Sequence, residues 1–300
     1  MDFAFTEEQE QLRQEARSFL AQNPEPQWSQ LAELGWLGVS IPEEHGGAGL
    51  GFLEEAVLFE ELGRALYAGP YFSTIGLALP ALRDEQLARV ASGEERWSAE
   101  VDGLVPDLAA VDWVVTDEEA ARAEGETVPT MDETRPLGRL ANGDREPLAG
   151  SLDRPRTLAA LACEAVGIAQ KALELGVQHA QERQQFGKPI GVYQAVSHKL
   201  ADTYVETELA RSLAYWAAWC VAGRDEQAPV AAAAAKAFAS ETAVAACERA
   251  IQVHGGIGFT WEHELHRYYK RAQWVQAFMG FPSALRAEVA DSLLAPSAVA

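Results

Sequence analysis

The second half of the chain carries long stretches whose apolar residues repeat at the spacing of an α-helix. This spacing predicts helices over residues 156–185, 194–221, 228–254 and 261–278. The third stretch is so rich in alanine that its backbone has to lie close to neighbouring helices. Four long helices with short connections predict a four-helix bundle over residues 151–300.

The first half of the chain divides into a helical part and a part with strand-like patterns. Residues 1–92 are expected to form an N-terminal helical domain, with Thr6 as the first cap and helices over 5–22, 27–34, 52–66 and 73–82. Residues 93–150 are expected to form a reduced β domain, with short strands at 96–101, 112–116 and 127–130. The predicted fold class is therefore mainly α with a small β unit, too short for a complete barrel of ordinary size.

The composition of the 300-residue chain excludes several classes of protein. A hydrophobic fraction of 48% is typical of a globular protein, and a net charge of −21 disfavours binding to nucleic acid or anionic membranes. No run of about 18 apolar residues predicts a membrane span, and the acidic residues 1–8 lack the basic region of a secretory signal. Cys163, Cys220 and Cys247 are expected to be buried thiols in a reducing cytoplasm.

Two segments contain residues suited to binding a phosphate group. In the first, residues 181–190, Arg183 has a planar guanidinium that can bond two phosphate oxygens at once. The alternative is an ordinary surface arginine at the end of a helix. Phe186, followed by Gly187, favours the binding role, because an aromatic side chain there can cover a ring of the ligand.

In the second segment, residues 252–259, Gly255 and Gly256 leave room for backbone N–H groups to approach a diphosphate. The same glycines suit the C-terminal cap of the alanine-rich helix, and both roles can hold together. Gln194 and Gln252 carry amides that can bond a ring or a ribose. His254 can either bond the ligand or cap the helix end.

These residues resemble the sequence patterns of the acyl-CoA dehydrogenase family. Arg183, Phe186-Gly187 and Ile190 precede Tyr193-Gln194-Ala195, and Gln252-Val253-His254-Gly255-Gly256 follows about sixty residues later. Family members have a helical domain, a β domain and a C-terminal four-helix bundle. The resemblance implies FAD as the cofactor and an obligate oligomer. In such an oligomer, residues of one subunit hold the diphosphate and adenosine end of the neighbour's FAD; the matching positions here are Arg183, Phe186, Gln194, Gln252, Val253, His254, Gly255 and Gly256.

Two departures separate this chain from a complete member of the family. The family's middle domain is considerably longer and has two segments that bond the isoalloxazine ring, and neither occurs in residues 90–150. The family's catalytic glutamate, which removes a proton α to the thioester carbonyl, falls on Met279. A thioether cannot accept that proton. The position that some members use for the base falls near Thr157.

Glu164 is the remaining candidate for a base in this chain. It interrupts an apolar run and lies seven residues from Thr157, on the same face of the helix. A buried glutamate there could have a raised pKa and act in catalysis. The favoured alternative is a structural carboxylate paired with an arginine, because Glu164 lies roughly 10 Å along the helix from the base position.

The resemblance and its departures favour one functional hypothesis. The chain is expected to be the short subunit of an FAD-dependent acyl-CoA dehydrogenase of the α2β2 type, paired with a full-length subunit that supplies the carboxylate. The substrate would be an acyl-CoA, such as a steroid side-chain CoA, and a flavoprotein would accept the electrons. Two alternatives stay open: a self-sufficient homo-oligomer with Glu164 as the base, and a flavin-free helical scaffold. No metal site is predicted, because the spacing of His263 and His266 is typical of a polar helix surface.

Overall fold

The computed structural model describes residues 5–117 and 119–294. Residues 1–4, which belong to the acidic N-terminus considered above, lie outside the described residues, as do Glu118 and residues 295–300. A helical N-terminal part, a small β part and a C-terminal helical bundle follow one another along the chain. The predicted fold class is therefore confirmed.

The N-terminal part consists of short α-helices joined by tighter helical turns. The helices are α1 (Glu7–Gln22), α2 (Trp28–Glu33), α3 (Phe52–Arg64) and α4 (Asp84–Ala91). Thr6 caps α1 as predicted, because its Oγ1 accepts from the N–H of Gln9 at 3.2 Å. The single helix expected over 73–82 is wrong: a π-helical segment, Phe72–Ala78, is followed by a 3-10 turn, Leu79–Ala81. Pro80 contributes to this change, since it has no N–H for the helical hydrogen bonds.

The β part lies between residues 97 and 147 and forms two small sheets, ordered β1–β3–β4–β7 and β2–β6–β5. Strand β1 is parallel to β3, and the other neighbours are antiparallel. The strand expected at 127–130 starts two residues earlier and ends before Pro129, which cannot donate to a strand ladder. The strands are β1 (Trp97–Ala99), β2 (Val105–Pro106), β3 (Trp113–Thr116), β4 (Glu119–Arg122), β5 (Gly125–Val128), β6 (Leu137–Leu140) and β7 (Arg145–Pro147).

The C-terminal part contains the four predicted helices and one more. A hairpin of β8 (Gln184–Gln185) and β9 (Lys188–Pro189) separates the first two helices. The final helix of the described residues, α9, was not predicted, although Pro282 occupies its first position, where proline is favoured. The helices are α5 (Arg154–Glu182), α6 (Gln194–Ala222), α7 (Ala228–His254), α8 (Leu265–Ala277) and α9 (Pro282–Leu294).

Close packing and ion pairs, one largely buried and one partly exposed, join the N-terminal helices to the bundle. A Cβ at Gly167 of α5 would lie 1.9 Å from the carbonyl oxygen of Glu60, so α3 and α5 are in backbone contact. The Glu60 carboxylate accepts from Arg211 of α6 at 3.0 Å, and Arg64 pairs with Glu174 at 2.6 Å. These contacts fix the bundle against α3, and thereby fix the residues at the two ends of the bundle.

The alanine-rich helix α7 is the most apolar long helix. With the turn that follows it, residues 228–259 are long and apolar enough to cross a membrane, but 67% of the most apolar stretch is buried within the protein. Such burial is typical of a core helix, and α7 packs against α5, α6, α8 and α9. Cys163, Cys220 and Cys247 are free and buried, as predicted.

Candidate cofactor-binding site

The ends of three bundle helices bring the two phosphate-binding segments together. The last turn of α5 meets the last residue of α7, where the rings of His179 and His254 stack at 4.2 Å. Beneath them lies a small apolar cluster that also includes the start of α6, formed by Leu173, Ala180, Leu200 and Val253 with Val177, Ile190 and Val196 at its edge. The structure therefore places the segments 183–190 and 252–256 at one end of the bundle.

Arg183 ends α5 and points its side chain towards solvent. Its backbone N–H donates to the carbonyl of His179 at 2.9 Å, and its carbonyl accepts from Ile190 at 2.8 Å. Among the described residues, no carboxylate lies within 4.0 Å of the Arg183 guanidinium. The guanidinium is therefore available for an anion from outside the chain.

Phe186 lies at the tip of the β8–β9 hairpin and is 92% exposed. Both central residues of this turn have positive φ, 52° at Phe186 and 77° at Gly187, as a type I′ turn requires. Glycine tolerates that conformation, whereas a bulky aromatic residue there is strained. The Phe186 ring meets that of Tyr193 edge-on at 6.4 Å but stays almost fully exposed, so packing within the chain gives it little, which favours a role in binding.

The glycines of the second segment differ in backbone conformation and in the space that a side chain would have. Gly255 has a φ of 66° and caps α7 through its N–H, which donates to the Ile251 carbonyl. A Cβ at Gly256 would meet no atom within 4 Å, whereas a Cβ at Gly258 would lie 2.8 Å from the Ile251 carbonyl oxygen. Packing within the chain thus explains why residue 258 is a glycine. It does not explain Gly256, whose open surface allows the close approach of a ligand.

The remaining candidates divide into exposed and buried side chains. Gln194, at the first position of α6, and Gln252 are exposed amides. Val253 is buried in the apolar cluster, so only its backbone can reach a ligand. His254 is buried as well, and its Nδ1 bonds the Ala250 carbonyl at 2.8 Å.

Met279 lies at the other end of the bundle, in the turn after α8. Its φ is 59°, and Gly280 follows with a φ of 113°. The buried ammonium of Lys236 donates to the Gln276 carbonyl at 2.9 Å and also to the Gly280 carbonyl. Burial and, to a lesser extent, the charge of Arg154 lower the pKa of Lys236 to about 7. The Lys236 side chain thus holds the turn through two main-chain carbonyls, and Met279 itself offers no proton acceptor.

Glu164 lies in a buried network of charged residues that the sequence did not predict. Its carboxylate accepts from Arg135 and from Arg271, each at 2.7 Å. Arg271 also donates to Asp132 at 2.5 Å and to the Thr134 hydroxyl at 2.7 Å. Only Glu164, which interrupts an apolar run, gave a signal in the sequence.

The raised pKa considered for Glu164 is wrong. Burial raises the pKa of its carboxyl, but the positive charges of Arg135 and Arg271 lower it below the ordinary value. The carboxylate is therefore ionised and paired, as in the structural alternative. Thr157 is also engaged, because its hydroxyl donates to the Gly76 carbonyl at 3.0 Å.

Aromatic residues enclose Arg135 beside the Met279 turn. The Arg135 guanidinium lies 4.6 Å from the centre of the Phe72 ring and 4.8 Å from that of Trp274. Trp274 in turn stacks on Phe278, the residue before Met279, at 4.5 Å. The cavity left between Phe72, Arg135 and Glu164 measures only 10 Å³, about the space of one water molecule. These side chains therefore fill the space next to the aromatic cluster.

No group of three or more metal-ligating side chains occurs among the described residues. His263 and His266 do not share a site: His263 contacts His254 at 4.4 Å, whereas His266 contacts Trp261. The candidate site remains the surface at the end of α5 and α7, where Arg183, Phe186 and Gly256 are exposed.

Comparison with known families identifies the fold and the class of this chain. The family described as acyl-CoA dehydrogenase, N-terminal domain, matches residues 6–94, and acyl-CoA dehydrogenase, C-terminal domain, matches residues 151–294. The chain belongs to the acyl-CoA dehydrogenase family of oxidoreductases. The resemblance predicted from Arg183, Phe186 and residues 252–256 is confirmed.

Similar proteins extend this result along most of the chain. Acyl-CoA dehydrogenase IpdE2 of Mycobacterium tuberculosis is 38% identical over 262 residues, which cover 82% of this chain and 79% of that protein. Acyl-CoA dehydrogenase FadE34 of the same species is 34% identical over 85% of this chain and 40% of its own, longer chain.

Solved structures of low identity share the fold. A chain of the ChsE4-ChsE5 complex from Mycobacterium tuberculosis matches with a TM-score of 0.87 at 23% identity, covering 98% of this chain and 99% of that one. A variant of the Tcur3481-Tcur3483 steroid ACAD matches with a TM-score of 0.82 at 25% identity, covering 96% and 98%.

Proposed function

We propose that this chain is the short subunit of a heteromeric acyl-CoA dehydrogenase and completes the FAD site of a full-length partner subunit. The observation that carries the proposal is the open surface around Arg183, Phe186 and Gly256. Each of the three faces outwards and is exposed, and Phe186 makes only an edge-on contact with Tyr193. We therefore propose that these three residues form a binding site only together with a ligand and a second subunit.

The residues present fit the diphosphate of FAD. Arg183 offers a bidentate donor that has no carboxylate partner within the described part of the chain, and Gly256 allows a close approach to the main chain. Phe186, Gln194 and Gln252 offer an exposed ring and two exposed amides for the adenosine end. Bound FAD would supply the hydride acceptor for α,β-dehydrogenation, and this chain would bind and orient its diphosphate.

The catalytic base is proposed to belong to the partner subunit. Met279 cannot accept a proton, and Thr157 is not a carboxylate. Both oxygens of Glu164 are bonded to arginines, which lower its pKa and make it a weak base. The small cavity beside Phe72 and Arg135 has no space for an acyl chain. An assembly of two such chains with two full-length subunits would therefore carry one complete active site for each pair.

The proposed substrate is an acyl-CoA thioester with a bulky acyl group, such as a steroid side chain, and the proposed electron acceptor is a flavoprotein in the cytoplasm. The support for a steroid comes from the Tcur3481-Tcur3483 relative, which is described as a steroid ACAD. Loss of one active site in each pair would leave room for a bulky group.

Coexpression tests this proposal. The chain is produced alone and together with full-length relatives, starting with the product of a neighbouring reading frame, and flavin content and acyl-CoA dehydrogenation are measured. We expect flavin and turnover only in the complex. Arg183→Ala should weaken FAD binding by about ten- to a hundredfold, the value of a charged hydrogen bond. The matched control is Arg224→Ala, at the opposite end of α6, which should leave FAD binding unchanged.

The two alternatives give different results in the same experiment. A chain that alone holds stoichiometric FAD and turns over substrate would contradict the proposal and favour a self-sufficient enzyme, in which Glu164→Gln abolishes activity. A colourless complex whose flavin content does not depend on Arg183 would identify a helical scaffold.

A further inference from the structure

Three of the six histidines of the chain lie ring against ring at the proposed diphosphate site and are called the histidine stack here, although His179 stacks on His254 and His263 meets His254 edge-on. His254 lies in the middle, with its ring centre 4.2 Å from that of His179 and 4.4 Å from that of His263. The three rings come from α5, from the end of α7 and from the turn before α8. His254 directly precedes Gly255, so the stack adjoins the surface that Gly256 leaves open.

Hydrogen bonds give His263 and His254 different capacities for a proton. The Nδ1 of His263 accepts from the N–H of Leu265 at 3.2 Å, so a proton on that atom would break the bond. The Nδ1 of His254 instead lies 2.8 Å from the Ala250 carbonyl, which can only accept, so it must carry a hydrogen. Its Nε2 remains able to take a second proton without the loss of that bond. His254 is therefore the ring suited to becoming an imidazolium.

Burial and neighbouring groups disfavour the charged form of two of these rings, His254 and His179, in the free chain. Burial lowers the pKa of His254, the bond to Ala250 opposes this effect, and His179 and His263 lower the pKa further. Burial also lowers the pKa of His179, Arg183 and His263 add to the decrease, and Glu182 opposes it. An anion next to these rings would reverse the balance, because it favours the charged form of the imidazole.

We infer that His254 takes up a proton when a diphosphate binds beside Gly255 and Gly256, so that FAD binding weakens as the pH rises. His179 and His263 then act as positioning residues that hold the ring of His254. This inference rests on the proposed function, because it assumes that the diphosphate binds at the end of α5 and α7. It adds a titrating group to a site whose other donors, a guanidinium and backbone amides, do not titrate near neutral pH.

The sign and size of the effect follow from proton linkage. Uptake of one proton on binding makes the affinity fall by at most about tenfold for each unit of pH increase, over the range between the free and the bound pKa of His254. FAD is a suitable probe, because its diphosphate is a diester without a group that titrates near neutral pH. Any slope in its binding curve therefore comes from the protein.

The test uses the complex of this chain with its full-length partner, stripped of flavin, and measures FAD rebinding between about pH 6 and about pH 8. The informative variant is His254→Asn, whose side-chain N–H can still donate to the Ala250 carbonyl but cannot take a second proton. We expect the wild-type affinity to fall several-fold over this range and His254→Asn to remove most of the fall. His198→Asn, which changes an exposed histidine on α6, should keep the wild-type slope.

Two outcomes separate the inference from the proposed function. If His254→Asn keeps the wild-type slope, or if the wild-type affinity does not change with pH, the inference is overturned while the proposed function stands. Arg183→Ala should lower the affinity at every pH and leave the slope in place. If Arg183→Ala has no effect on FAD binding, the location of the diphosphate is wrong, and both proposals fail together.

Discussion

Removal of the Glu164 carboxylate should destabilise the chain far more than removal of an exposed ion pair on the same helix. Glu164 is 3% exposed and accepts two charged hydrogen bonds of 2.7 Å. In Glu164→Ala, Arg271 keeps Asp132, but Arg135 keeps no carboxylate, and its Nε already has no partner. A buried charge left without its partner costs about 3–5 kcal/mol, which is the expected loss of unfolding free energy.

Glu174→Ala is the matched control for this prediction. Glu174 also lies on α5 and also pairs with an arginine, Arg64, at 2.6 Å, but both side chains are partly exposed, at 34% and 23%. Solvent screens such a pair, and we expect a loss of at most about 1 kcal/mol. Urea unfolding followed by circular dichroism gives both values, provided that the slope with denaturant stays the same.

A double variant distinguishes an unpaired charge from a simple loss of contacts. Arg135→Met combined with Glu164→Leu removes both charges of one pair, and the combined loss should be smaller than that of Glu164→Ala. The reasoning is refuted if Glu164→Ala costs no more than Glu174→Ala, or if the double variant is the least stable of the three. Either result would mean that the buried network does not support the fold.

Three further predictions concern single residues. Burial raises the pKa of Asp107 from 3.8 to about 6, so the folded state loses stability as the pH rises between these two values. Asp107→Asn should therefore raise the free energy of unfolding by at most about 3 kcal/mol at neutral pH and not at all below about pH 4. Urea unfolding at the two pH values measures this difference. Gly258→Ala should cost about 1–3 kcal/mol, because its Cβ would meet the Ile251 carbonyl, whereas Gly256→Ala should keep thermal stability and lose FAD in the complex. Met279→Glu should give no dehydrogenation in the chain alone, as measured with an acyl-CoA and a dye acceptor.

The bundle could be predicted because its signals are local, and the cofactor role of the segments around Arg183 and Gly256 stays a prediction. Helical spacing showed the four long helices, and Arg183, Phe186 and Gly256 lie within short patterns of the family. The sequence patterns are weaker in strands of two to four residues and in the π-helical segment Phe72–Ala78. Some of the strands were therefore not predicted, and others were predicted with different ends. The domain limits at residues 92 and 150 stay a prediction.

The buried network could not be predicted because its members are far apart in the sequence. Arg135 lies 29 residues from Glu164, and Arg271 lies 107 residues from it. Glu164 stood out as a charge within an apolar run, but that pattern is compatible with a catalytic base and with a structural ion pair. Only the fold shows which arginines reach Glu164. Their two positive charges lower the pKa of its carboxyl, whereas the catalytic role considered for it called for a raised pKa.

The two ends of the bundle support the same assignment for independent reasons. Beside the Met279 turn, Phe72, Arg135 and Trp274 pack together and leave a cavity of only about 10 Å³, and Met279 itself cannot accept a proton. At the Arg183 end, a guanidinium, a strained aromatic ring and an open glycine face outwards. A catalytic subunit that worked alone would need an open site beside Met279. A scaffold without flavin would have no physical reason to keep a strained Phe186 beside an Arg183 that pairs with no carboxylate among the described residues.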